Sequence, residues 1–170
     1  MNIPNILTLI RFLLVPVFGY YFYKEQFHIA VFLFLLASLT DILDGYIARK
    51  YNLVTSWGKL ADPLADKLMQ ITALVFLVIK DRIPSVVLII VAAKEAFMIA
   101  GSVLLYKKEN FVVSANWYGK FATVLFNFAI VMLIFKAPFD YIFLILAVFA
   151  TLFAFIMYII SFTRNMQQDK

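Results

Sequence analysis

The chain has 170 residues, 65% of them hydrophobic, with a mean hydropathy of +0.94 and a net charge of +5. Soluble domains lie nearer ~45–50% apolar, so a water-facing globule is excluded, and nineteen Phe with few Gly or Pro exclude disordered and fibrous classes. The absence of cysteine removes disulfides, thiolate catalysis and Cys-ligated metal.

A transmembrane helix needs about 20 mostly apolar residues. Six segments meet that requirement: Asn5–Tyr23, Phe27–Arg49, Thr55–Ile79, Pro84–Tyr106, Trp117–Phe135 and Phe139–Phe162. The expected fold is therefore all-α, a polytopic membrane protein built as one bundle of six transmembrane helices over residues 1–170. The start, Met1-Asn2-Ile3-Pro4-Asn5, has no basic region, and no small-residue cleavage site follows, so the first segment reads as a retained span. Lys24-Glu25-Gln26, Lys80-Asp81-Arg82, Lys107-Lys108-Glu109-Asn110 and Lys136-Ala137-Pro138 punctuate the runs. Pro84 and Pro138 fall where a helix starts and an N–H is not needed.

Six spans put both termini on one side. Arg49, Lys50, Lys107, Lys108, Arg164 and Lys170 share that side, against Lys24, Lys80, Arg82 and Lys136 on the other. The bias places the termini in the cytoplasm. Scattered between apolar runs, these basic residues read as topology signals and partners for lipid headgroups, not as a nucleic-acid surface.

The acids carry the functional signal. Of ten acidic residues, Asp41, Asp44, Asp62 and Asp66 fall in the second and third segments. An ionisable group inside a span is costly and marks function by default. Asp41, Asp44, Gly45 and Ala48 share one helix face, and Gly58, Asp62 and Asp66 share another. The short loop between the segments predicts antiparallel neighbours whose carboxylates converge at the cytoplasmic end. Four carboxylates in low dielectric need cations to stay ionised. Oxygen ligands without His or Cys favour Mg²⁺, Mn²⁺ or Ca²⁺ over zinc, and four can bridge two ions, an arrangement suited to displacement at phosphorus. The small residues Gly45, Ala48, Gly58, Ala61 and Ala65 serve either close helix packing or room for a base and a diphosphate. Arg49, at the membrane edge, suits phosphate oxygens or anchors topology.

Residues 41–66 read D-I-L-D-G-Y-I-A-R-K-Y-N-L-V-T-S-W-G-K-L-A-D-P-L-A-D. This resembles the signature of the CDP-alcohol phosphatidyltransferases, D-x2-D-G-x2-A-R-x8-G-x3-D-x3-D, at all its specified positions and spacings. The resemblance implies a six-helix membrane core and a homodimer. It implies that Asp41, Asp44 and Asp62 ligate Mg²⁺ or Mn²⁺, two ions in all, and that Asp66 touches metal and acts as general base. Gly45, Ala48 and Gly58 would line the cytidine pocket and Arg49 would meet the diphosphate. Asn5, Thr8 and Thr55 would approach the CDP-lipid from outside the signature.

The opening N-I-P-N-x-x-T-x-x-R and the run L-A-D-P-L-A-D-K-L are similar to the branches making phosphatidylglycerophosphate and, in eukaryotes, cardiolipin. The first branch commonly carries Arg-Glu in the fourth helix and G-K-x-K-T in the fifth. Here stand Lys94-Glu95 and Gly119-Lys120-Phe121-Ala122-Thr123. The expected reaction is transfer of the phosphatidyl group of CDP-diacylglycerol to a small anionic alcohol, glycerol 3-phosphate first, with Lys94, Lys120 and Arg11 or Arg164 as acceptor cations. Phosphatidylglycerol and inositol phosphate are the alternative acceptors. A divalent-cation carrier or a non-catalytic membrane subunit is the alternative outside enzymes. Lys94-Glu95 can also be a self-satisfying pair, and Lys120 can snorkel. His28 reads as solvated.

Overall fold

The structure is a computed structural model that describes residues 2–51, 53, 55–109 and 117–168, apart from the side chains of residues 49, 56, 57, 59, 60, 99–109 and 161–168. Six helices follow one another: α1 (Ile3–Tyr23), α2 (Phe27–Lys50), α3 (Ser56–Ile79), α4 (Ser85–Glu109), α5 (Trp117–Phe135) and α6 (Asp140–Gln168). Each expected segment is a helix, with ends shifted by a few residues. α1 starts early because Pro4 sits in its first turn, where the missing N–H costs nothing. α6 starts after Phe139, whose φ of 66° is not helical.

Among the described residues, four helices are long and apolar enough to cross a membrane, over Ile3–Tyr23, Phe27–Ala48, Trp117–Phe135 and Asp140–Ile160. That is fewer than the six spans expected. α3 carries Lys59, Asp62, Asp66 and Lys67, and α4 carries Lys94 and Glu95, within otherwise apolar lengths. Large side chains such as Leu13, Phe32, Ile42, Phe97, Phe128 and Phe149 are exposed, as a lipid-facing surface requires.

The chain forms two compact units, Met1–Ile83 and Pro84–Lys170. In the first, α1 packs along both α2 and α3, while α2 and α3 touch each other less. The expected direct pairing of α2 with α3 is thus largely replaced by α1 as a shared partner. The face of α1 that does this is Pro4, Thr8, Arg11, Phe18, Gly19 and Phe22, all buried. At the end away from the acids, Phe22 stacks on Phe76 (5.6 Å) and meets Phe18 edge-on (5.7 Å). Gly19 makes that packing possible: a Cβ there would sit 2.8 Å from Phe76 Cε2. Ala61, Ala65, Met69, Ala73, Leu74 and Leu77 form the buried stripe of α3 at three- and four-residue spacing. In the second unit, α5 packs on α6 through Phe126, Ala129, Ile130 and Leu133, and Phe128 meets Phe143 edge-on at 5.1 Å.

Three helix ends share one device. Glu25, Asp81 and Lys136 have φ of 59°, 52° and 50°. The next N–H reaches back five residues, Gln26 to Tyr21 O (3.0 Å), Arg82 to Leu77 O (2.8 Å) and Ala137 to Met132 O (3.0 Å). This is the Schellman cap, in which glycine is the usual left-handed residue. Lys136→Gly is therefore expected to stabilise the fold by about 1 kcal/mol, read as a higher thermal midpoint in detergent. An unchanged or lower midpoint would show that the turn carries no strain.

Candidate active site

The site is built at the N-terminal end of α1, from the face that carries Asn5, Thr8 and Arg11 at three-residue spacing. Thr55, the N-cap of α3, accepts a bond from Gly58 N (3.0 Å) and donates to Asn5 Oδ1 (3.0 Å). One cap thereby ties α3 to α1. The Thr8 hydroxyl, fully buried, lies within hydrogen-bond distance of Pro4 O (3.0 Å) and bonds the Asp62 carboxylate. Gly58 is buried among these groups. A Cβ on it would meet Thr55 Oγ1 at 3.0 Å, Asn5 Oδ1 at 3.2 Å and Asp62 Oδ2 at 3.7 Å.

Arg11 lies one further turn along α1 and is 2% exposed. Its Nη1 pairs with Asp41, and its Nη2 pairs with Asp44 and, at 3.3 Å, with Asp62 Oδ1. A single guanidinium thus gathers carboxylates from α2 and α3. Asp44 is as buried as Arg11, whereas the Asp41 and Asp62 side chains remain 39% and 30% exposed. Arg11 Nε is buried without a hydrogen-bond partner. Asp66, one turn beyond Asp62, is outside this cluster; Lys67 Nζ lies 3.5 Å from its Oδ2, and Lys67 also reaches Gln70 Oε1 at 3.3 Å.

The donor set is all oxygen, as a hard divalent cation prefers. Three carboxylates converging on one positive group fit such an ion in chemistry and in charge. Among the described residues, no three acid or imidazole side chains close on a common point tightly enough to hold a metal as placed; the acids close on the guanidinium instead.

A profile described as CDP-alcohol phosphatidyltransferase matches residues 1–159. The chain belongs to the CDP-alcohol phosphatidyltransferase family. It is 39% identical over 136 residues to the CDP-diacylglycerol–glycerol-3-phosphate 3-phosphatidyltransferase of Rickettsia typhi, covering 78% of this chain and 76% of that one. It is 39% identical over 137 residues to the protein of that name from Bacillus subtilis, covering 72% and 70%. The human cardiolipin synthase (CMP-forming) is 41% identical over 100 residues, which is 58% of this chain and 33% of that one. Family membership and the apolar helices together make this a multi-pass membrane protein of all-α fold.

Of the family signature, the structure brings Asp41, Asp44 and Asp62 onto one cation and sets Gly58 against Asn5, Thr55 and Asp62. Gly45 and Ala48 are half-buried on the α2 face that carries the acids. The side chains of Arg49 and Arg164 lie outside the described residues. Lys94 and Lys120 belong to the second unit. Lys94 is buried and bonds its neighbour Glu95 at 2.5 Å; Lys120 is exposed at the start of α5. Arg11 is the residue whose place sequence reasoning missed. Expected beside an anionic acceptor, it binds the aspartates. The signal was its spacing, three residues after Thr8 and six after Asn5, on the buried face of α1.

Filling the tight space at Gly58 should act on the donor. We expect Gly58→Val to lower kcat/KM for CDP-diacylglycerol by about 100-fold, since a misplacement of about 1 Å costs that much. A fold unchanged in circular dichroism with unchanged kinetics would remove Gly58 from the site.

Proposed function

We propose that this protein transfers the phosphatidyl group of CDP-diacylglycerol to glycerol 3-phosphate, giving phosphatidylglycerophosphate and CMP. The observation that carries this reading is the convergence of Asp41, Asp44 and Asp62, with Asn5, Thr8, Thr55 and Gly58 packed beside them. The relatives named for that reaction supply the acceptor.

The acceptor hydroxyl oxygen attacks the lipid-side phosphorus. The bond from that phosphorus to the bridging oxygen breaks, and CMP leaves with the electron pair. Asp66 takes the hydroxyl proton. It is suited to this because Arg11 pairs with the other three acids and not with Asp66. A carboxylate is the plausible base in a chain whose one histidine, His28, lies on the loop side of α2 away from the acids. Asp41, Asp44 and Asp62, with Asp66, would hold Mg²⁺ or Mn²⁺, two ions for four carboxylates. Bound there, such ions neutralise the diphosphate and stabilise the departing CMP. Asn5, Thr8 and Thr55 offer hydroxyl and amide groups to the donor, and Gly45, Ala48 and Gly58 leave space for the cytidine. Arg49 would meet the diphosphate, and Lys94 and Lys120 the acceptor phosphate. The Lys and Arg bias supports a cytoplasmic face for this end.

A second acceptor reading rests on the match to cardiolipin synthase and on Lys94 and Ala122, which depart from the pattern of the glycerol-3-phosphate branch. Purified protein in detergent micelles, given Mg²⁺ and CDP-diacylglycerol, should release CMP and form phosphatidylglycerophosphate with glycerol 3-phosphate. Cardiolipin formed from phosphatidylglycerol, with no product from glycerol 3-phosphate, would replace the acceptor. No CMP release with any acceptor would remove the enzymatic reading.

A further inference from the structure

Arg11 presents a problem of occupancy. It cannot be neutralised by losing its proton, because guanidinium stays charged in proteins. It is buried on three carboxylates from two helices. While it stays there, no three acids among the described residues close on a common point. A divalent ion drawing on Asp41, Asp44 and Asp62 therefore needs the ground that the guanidinium holds.

We propose that Arg11 is the resident counter-cation of the aspartate cluster, stabilising the metal-free protein and giving up these carboxylates when a divalent ion binds. This rests on the reading of Asp41, Asp44 and Asp62 as metal ligands.

Three features on different parts of the site support it. The first is charge: three carboxylates face one guanidinium, an excess of acidic groups that invites a divalent cation. The second is satisfaction. Arg11 Nε is buried with no acceptor, and a buried polar group left so is unfavourable. The pocket is therefore not built as a permanent seat for guanidinium; it offers oxygens to two of the three nitrogens only. The third is access. Asp41 and Asp62 are exposed by about a third, so an ion can reach them from solution while Asp44 and Arg11 are sealed beneath. In the absence of metal, Arg11 keeps three acids on α2 and α3 from repelling one another, so α1 to α3 stay packed.

Mn²⁺ binding tests this without substrate. Protein purified in detergent and freed of metal by chelation is titrated with Mn²⁺, following the loss of the free-ion EPR signal, and the thermal midpoint is recorded with and without Mn²⁺. For Arg11→Gln we expect a lower metal-free midpoint, a larger rise on adding Mn²⁺ and a Kd about tenfold or more below that of the wild type, within the range of ordinary coupling between sites. Arg11→Lys, with one ammonium in place of a fork, should fall between the two. If Arg11→Gln cannot be purified without metal, Mn²⁺ in the extraction buffer should restore it, and Arg11→Lys then carries the affinity comparison. Equal or weaker Mn²⁺ binding in the variant that folds overturns the proposal while leaving the metal reading intact. No Mn²⁺ binding by the wild type overturns the metal reading and this inference with it.

Discussion

Asp66→Asn protein should insert and fold as the wild type does yet release CMP about 10²- to 10⁴-fold more slowly, the usual contribution of a positioned general base. The substitution keeps the shape of the side chain and removes its ability to take a proton. The structure argues for this residue over the other three acids. Asp41, Asp44 and Asp62 have their oxygens committed to Arg11, and Asp62 also to Thr8. Asp66 stands one turn along α3 beside Lys67 and is partly exposed. CMP release and thermal midpoint, measured on the same preparation, check the prediction. Raising Mg²⁺ separates base from ligand: a base variant gains little, whereas a variant impaired only in holding metal recovers as the ion saturates. Full activity in Asp66→Asn would sink the assignment.

The second large effect falls on Asp44. Asp44→Asn should lower CMP release about a thousandfold, some 4 kcal/mol of transition-state stabilisation, while costing little stability. Breaking a buried ion pair normally destabilises by about 3–5 kcal/mol because one charge is stranded. Here Arg11 keeps Asp41 and Asp62, so no charge is stranded, and one source of repulsion among the acids disappears. Arg11→Gln should show the reverse pattern, since it leaves three carboxylates facing one another. A comparison of the two variants by activity and by thermal midpoint checks this directly. If Asp44→Asn unfolds the protein as severely as Arg11→Gln does, the cluster is a structural ion network and not a site held ready for a cation.

The helices and the acids were legible in the sequence because their signals are local. An apolar run of about 20 residues bounded by Lys-rich turns specifies a helix wherever it ends up, and the D-x2-D and D-x3-D spacings put each pair on one face of its own helix. The partnership between helices was not legible. A short loop between α2 and α3 made them look like neighbours, but the buried stripe of α1 takes both. Periodicity tells which face is buried and not against what. Arg11 fell through the same gap: a cation in an apolar helix can be a topology anchor, an acceptor ligand or a counter-ion, and only the placement of Asp41, Asp44 and Asp62 around it decides. Asn5 and Thr55 were legible through the family resemblance alone, because a hydrogen bond between residues fifty positions apart leaves no mark on spacing. Lys94 bonds the adjacent Glu95, a contact that their positions allow but do not require.

The most direct test of the account is metal-dependent phosphatidyl transfer by the purified wild-type protein. With CDP-diacylglycerol and glycerol 3-phosphate, CMP release should stop on chelation and return on adding back Mg²⁺ or Mn²⁺, with phosphatidylglycerophosphate formed in equal amount to CMP. Transfer that continues undiminished after chelation would contradict the assignment of the four aspartates as metal ligands.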